Sequence, residues 1–144
     1  MSELCQESIY IPLPDLASRR ELVLLYYNIH VKNYVEQNNQ RASSLRSQLI
    51  QLLTKRKPPI MTLAPNIMAG EHFDELCTAT RGFSAEEISQ LMVTLQHNIH
   101  LTANVLEFDV AWDLISKKVV EHQNKLTKAG EHTLTHSEND IEFM

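Results

Sequence analysis

The residues of this sequence best suited to chemistry are its paired histidines. His97 and His100 are three apart, and His132 and His136 are four apart, so each pair would share one helix face. Two imidazoles on a face can hold zinc, but a zinc site takes about four ligands. No cysteine or acid completes a plausible cluster beside either pair, so they read as surface histidines with no metal. The two cysteines, Cys5 and Cys77, lie far apart and belong to no CxxC or CxxxxC pair. That argues against a disulfide framework or structural zinc and for reduced thiols. Cys77 falls on an apolar helical stripe, as a small core residue does. Ser18, Ser84 and Ser89 sit in no GxSxG turn. The phosphate-cradling pattern GxxxxGK[ST] is absent, and no apolar strand ends in paired acids that would hold magnesium. No residue of the chain is therefore a catalytic candidate.

A second feature with chemical content is charge. Residues 37–70 contain no acid, while Arg41, Arg46, Lys55, Arg56 and Lys57 make the block strongly basic. Such a block suits an anionic surface, either lipid headgroups or nucleic acid. No aromatic residue interleaves with the charges, which removes base stacking on single strands. The plain alternative is a solvated insertion.

The elements that would position these residues are mostly helices. Ser8-Ile9-Tyr10-Ile11 reads as one short strand, ended by Pro12 and Pro14. A lone strand cannot satisfy its own backbone groups, so its partners would lie elsewhere. Asp15 caps the first helix, with Ser18 and Glu21 offering a second capping box. Leu22, Leu25, Tyr26 and Ile29 follow at helical spacing, and the helix is expected to reach about Glu36 before Asn38-Asn39. Leu45, Leu49 and Leu52 or Leu53 predict a short amphipathic helix stopped by Pro58-Pro59. Phe73, Leu76, Cys77 and Thr80 mark another, ended at Arg81-Gly82 by a glycine cap. Ser84 and Glu87 form a capping box for a helix carrying Ile88, Leu91, Met92, Leu95 and Ile99, with an end expected at Asn104. A last helix places Phe108, Ala111, Trp112, Ile115, Val119 and Leu126 on one face, Trp112 as a core anchor. Past Gly130 four acids and little periodicity predict a disordered tail.

Composition agrees with one helical domain. The chain has 144 residues, 43% of them apolar, enough for a single modest core. Three glycines are few for a fold rich in tight β turns. A net charge of −5 argues against nucleic acid as partner for the molecule as a whole. No apolar run is long enough for a membrane span, and the acidic start has neither signal-peptide nor transit-peptide character. The fold class expected is all-α, a small helical bundle preceded by one short strand.

The order of these pieces resembles the end of an AAA ATPase module. Pro14 to Arg19 matches the family's PxxxxR step from the last core strand into the lid. Arg81-Gly82-Phe83-Ser84-Ala85-Glu86-Glu87-Ile88 matches the GFSGxDI-like opening of a later lid helix. Over roughly residues 8–126 the chain is most similar to the mitochondrial membrane family of AAA domain-containing protein 3, with Glu87 to Gln96, Val105-Leu106 and His122 to Lys125 the nearest stretches.

The resemblance implies three parts: residues 1–14 as the end of a core strand and linker, 15–128 as the helical lid with an insertion at 37–70, and 129–144 as the acidic tail. It implies a lid that closes over the adenine of ATP, with Leu22 and Tyr26 on the first helix and Ala85 and Glu86 at a helix start as the contacts. ATP and magnesium would bind only in a complete module, and this chain alone would bind neither. Its partners would be the large AAA subdomain, in cis or in trans, and neighbouring subunits of a hexamer, in a mitochondrial membrane setting. The chain departs from the family at Ala85, usually glycine, and at Glu86 and Glu87, where some relatives place a phosphate-sensing arginine. It also lacks the family's arginine fingers. These departures leave a second reading open, a free-standing helical interaction module that has lost nucleotide.

Overall fold

A computed structural model of the chain describes residues 9–55, 60–102 and 105–141. Among these the fold is a helical bundle with one very short parallel strand pair, as the all-α expectation requires. In chain order the elements are α1 (Leu16–Tyr27), a π-helical segment (Asn28–Lys32), α2 (Asn33–Ala42), α3 (Leu45–Thr54), β1 (Thr62–Leu63), α4 (Gly70–Ala79), α5 (Ala85–Leu101), β2 (Val105–Leu106) and α6 (Phe108–Ile141).

Asp15 is the cap of α1: its carboxylate accepts the Ser18 amide at 2.8 Å. Ser18 therefore lies inside the helix rather than capping it. The buried side of the helix that follows is Arg19, Val23, Tyr27, Val31 and Val35. These recur every fourth residue. On a regular α-helix each step of four overshoots a full turn by about 40°, so the stripe would spiral off the core. The π-helical turn carries an extra residue and absorbs that drift. This corrects the expected stripe: Leu22 and Tyr26 are half-buried on its flank, while Leu25 and Ile29 are exposed. The helix also runs through Asn38-Asn39 to Ala42. Asn39 does not break it because its side chain is spent on tertiary structure. It donates to the Met61 carbonyl and accepts the Met61 amide, both at 2.9 Å.

Met61 and Ile67 are buried, and β1 pairs in parallel with β2 in the register Thr62 to Val105 and Leu63 to Leu106. The latter part of the expected insertion, residues 61–68, is thus built into the core. The run at Ile9-Tyr10-Ile11, expected as a strand, forms no regular element and pairs with nothing among the described residues. Without a neighbour to bond its amides it has no ladder to join. Ser8, Pro58-Pro59 and Asn104 lie outside the described residues.

The centre of the bundle is α5. Ile88, Leu91, Met92, Leu95 and Ile99 are buried, and the helix packs on α1, the π-helical segment and α6. Its capping box is complete: Ser84 Oγ accepts the Glu87 amide at 3.2 Å, and Glu87 Oε2 accepts the Ser84 amide at 2.9 Å. Gly82, at φ +86°, makes the turn from α4 that a side chain would strain. On α6, Ala111 and Ile115 are buried, while Trp112 and Val119 pack against the core from its edge. Leu126 is exposed, so the buried face of α6 ends earlier than its periodicity does. The α6 backbone stays helical to Ile141, past the Gly130 where order was expected to stop.

Candidate functional site

The Pro14–Arg19 step and the 82–87 turn are the two places where sequence motif and structure coincide. Arg19 is buried although it is charged. Its Nε donates to the Cys77 carbonyl at 3.2 Å and its guanidinium donates to the Pro14 carbonyl at 3.1 Å. Cys77 lies in the last turn of α4, where free carbonyls concentrate negative partial charge. One arginine thus ties the segment before α1, α1 itself and α4 together. Cys77 itself is fully buried, and burial pushes its thiol up, so it stays protonated and unreactive.

At the second place, Glu87 faces two ways. One oxygen closes the capping box and the other lies 3.0 Å from His122 Nδ1 on α6. His122 packs against Phe83 with the rings tilted by 39° and their centres 4.5 Å apart. Among the described residues its Nε2 has no hydrogen-bond partner, and a Cβ added to Gly82 would sit 3.4 Å from that atom. Burial raises the Glu87 carboxyl, but the Ser84 amide and His122 together outweigh it and hold the group below the ordinary glutamate range. The hollow beside this pair, rimmed by Lys118 and Lys125, encloses about 40 Å³, room for water rather than a base. His122 forms no pair visible in the sequence, because its partner Glu87 is thirty-five residues away. The available signal was its place seven residues after Ile115, on the buried face of the last helix.

The four adenine candidates divide between two helices. Leu22 and Tyr26 are half-buried on α1, Ala85 is half-buried, and Glu86 is exposed at the start of α5. Tyr26 stacks on His30 at 5.9 Å, and His30 Nε2 meets Ser89 Oγ at 3.2 Å. Further on, the Tyr34 hydroxyl meets His100 Nε2. The two contacts occur in the same order along both helices, so α1–α2 and α5 run in the same direction. Tyr26 is one turn before His30, near the end of α1 and in the middle of the continuous helix, and Ala85 is one turn before Ser89, at the start of α5. Glu86 accepts from Gln90 at 3.2 Å. A separate open groove of about 300 Å³ lies between α1 and the β1 loop, lined by Leu24, Tyr27, Lys32 and Met68 among others. None of the four candidates lines either hollow.

His97 is exposed and His100 is engaged by Tyr34; the side chains of His132 and His136 lie outside the described ones. Among the described residues no three histidines, cysteines or acids are grouped to hold a metal. No described helix is long and apolar enough to cross a membrane. No protein-family model, curated protein or solved structure matches the chain.

Proposed function

We propose that this chain is the helical lid of an AAA-type ATPase, of the kind found in AAA domain-containing protein 3. It would close over the adenine of ATP held by a large subdomain and couple nucleotide state to subunit motion. The observation that carries the reading is the unpaired apolar segment before α1. Ile9, Tyr10 and Ile11 are strand-forming residues left 83%, 86% and 83% exposed, with their ladder bonds unmade. Arg19 anchors this segment to the helical body through Pro14. A sheet belonging to another subdomain would complete it and cover its apolar side chains.

In that role the half-buried Leu22 and Tyr26 on α1, together with Ala85 and Glu86 at the start of α5, would form the face turned toward the base. Leu22 would pack on adenine and Tyr26 would stack on it or bond its edge. Hydrolysis would belong to the large subdomain, which supplies the P-loop and magnesium ligands. The lid would move as a rigid body hinged near Pro14.

One observation favours the second reading, an interaction module without nucleotide. Glu86 is exposed at the start of α5 and Glu87 is held ionised beside it. Both oppose a phosphate where a sensing arginine would attract it.

Calorimetric titration of a non-hydrolysable ATP analogue separates the two. It is run on this chain alone and on the chain joined through residues 1–14 to a P-loop core encoded upstream. Binding by the joined protein only, weakened about tenfold by Tyr26→Ala, is expected from loss of one aromatic contact. Absence of binding by the joined protein, or of any upstream core, sinks the lid reading and leaves the interaction module.

A further inference from the structure

Helix α3 is turned inside out. Leu45, Leu49, Leu52 and Leu53 fall within an arc of about 100° on its surface, the width of an ordinary core-facing stripe. Yet they are 78%, 62%, 80% and 84% exposed, and no residue of α3 is buried. The side turned toward the body is polar. Ser47 and Gln51 are its half-buried residues, and Ser47 Oγ donates to the Arg41 carbonyl at 2.8 Å. Gln48 likewise donates to the Ser43 carbonyl at 3.2 Å. The helix is thus fixed to the end of α2 by polar contacts that hold its apolar face outward.

The charge around this face identifies what covers it. Arg41, Arg46 and Lys55 are exposed before, on and after the helix, Arg56 and Lys57 follow in sequence, and no acid occurs between Glu36 and Glu71. The rest of the chain is acidic, since the molecule as a whole carries −5. We infer that α3 is an interfacial helix that lays its leucines into the headgroup boundary of an anionic lipid bilayer. Arginine and lysine stems reach past the apolar layer while their charged ends meet the phosphates. The acidic remainder is repelled by the same surface, which orients the molecule with α3 down. A second copy of the chain suits this face poorly, because pairing would bring two acid-free basic blocks together. Nucleic acid suits it poorly too, because phosphates have no use for four exposed leucines and the block offers no aromatic to stack.

The test is co-sedimentation of the full chain with vesicles of phosphatidylcholine alone or mixed with phosphatidylserine, at low and high salt. The expected result is retention on the mixed vesicles at low salt, release at high salt, and binding about tenfold or more weaker on phosphatidylcholine alone. The variant Leu49→Gln/Leu52→Gln/Leu53→Gln changes exposed positions only, so its circular dichroism should match the parent while its vesicle binding falls about tenfold or more. Arg46→Gln/Lys55→Gln should reduce the preference for phosphatidylserine. The inference is overturned if the mixed vesicles leave the chain in solution, or if the leucine variant sediments as well as the parent. It is equally overturned if vesicles do not bind and the leucines instead support a concentration-dependent dimer, or if the chain is held by polynucleotide in their place. Vesicle binding does not depend on ATP, so this result stands apart from the outcome of the nucleotide titration.

Discussion

Glu87 shows how one side chain can join a cap to a packing contact. It closes the Ser84 capping box with one oxygen and faces His122 with the other, so the start of α5 is fastened to α6. The carboxyl is depressed in the fold, and a depressed carboxyl stabilises above its ordinary pKa. That contribution is lost as pH falls through the depressed value, below the ordinary glutamate range. Asp15 is also depressed, by the Ser18 amide, and Glu121 by Lys118 and Lys125, so acid weakens more than one contact. Comparing the parent with Glu87→Gln isolates Glu87. In urea melts the variant should be less stable by roughly 1 kcal/mol at neutral pH, the usual scale of a cap. The gap should narrow as acid protonates Glu87, below the ordinary glutamate range; a gap of constant size as pH is lowered would mean the charge on Glu87 contributes nothing.

At the scale of elements, the π-helical segment decides which residues after Tyr27 stay on the core side of the first helix. Its extra residue keeps Tyr27, Val31 and Val35 on one line. Removing one exposed residue there, Ile29, would let the segment become regular α-helix. The buried positions would then recur at the normal helical interval and stay on the core. Deleting Val93, equally exposed but inside regular α5, would rotate everything after it by about 100°. Leu95 and Ile99 would leave the core, at about 2–5 kcal/mol each. Deletion of Ile29 is therefore expected to keep a cooperative thermal melt and deletion of Val93 to abolish it. Equal damage from both would show that the π turn is not what sets the register.

At the scale of the whole molecule, burial is unevenly shared. Helix α5 has its apolar side fully enclosed, whereas α3 has no buried residue and α6 is exposed from Gln123 to Gly130. Opening free energy follows buried contacts, so hydrogen exchange should be slowest in α5 and its neighbours α1 and the π-helical segment. Amides of α3 and of residues 123–130 should exchange first. Protection of α3 equal to that of α5, in the isolated chain in solution, would contradict the exposed face on which the lipid inference rests. Addition of phosphatidylserine vesicles should then slow exchange in α3 selectively.

Local chemistry was legible wherever neighbours in sequence are also partners in space. The Ser84–Glu87 capping box, the Asp15 cap, the Gly82 turn and the core stripe of α5 all follow from spacing alone, because an α-helix brings residues three and four apart together. The same spacing found α3 as an amphipathic helix, but not which way it faces. Amphipathicity predicts that one side differs from the other; only the polar contacts of Ser47 and Gln48 with the end of α2 turn the leucines outward. The grip of Asn39 on Met61, the pairing of β1 with β2, and the reach of His122 to Glu87 join residues far apart in sequence. No periodicity encodes such contacts. The first helix shows the limit most plainly: its core is Val23, Tyr27 and Val31 rather than Leu25 and Ile29, a face set by packing before the π turn and kept on the core by the extra residue of that turn. The sequence by itself determined a helical bundle and where most of its helices begin. Which helix face meets the core, and which remains free, was decided by packing, because burial depends on what lies across the gap rather than on the chain that carries it.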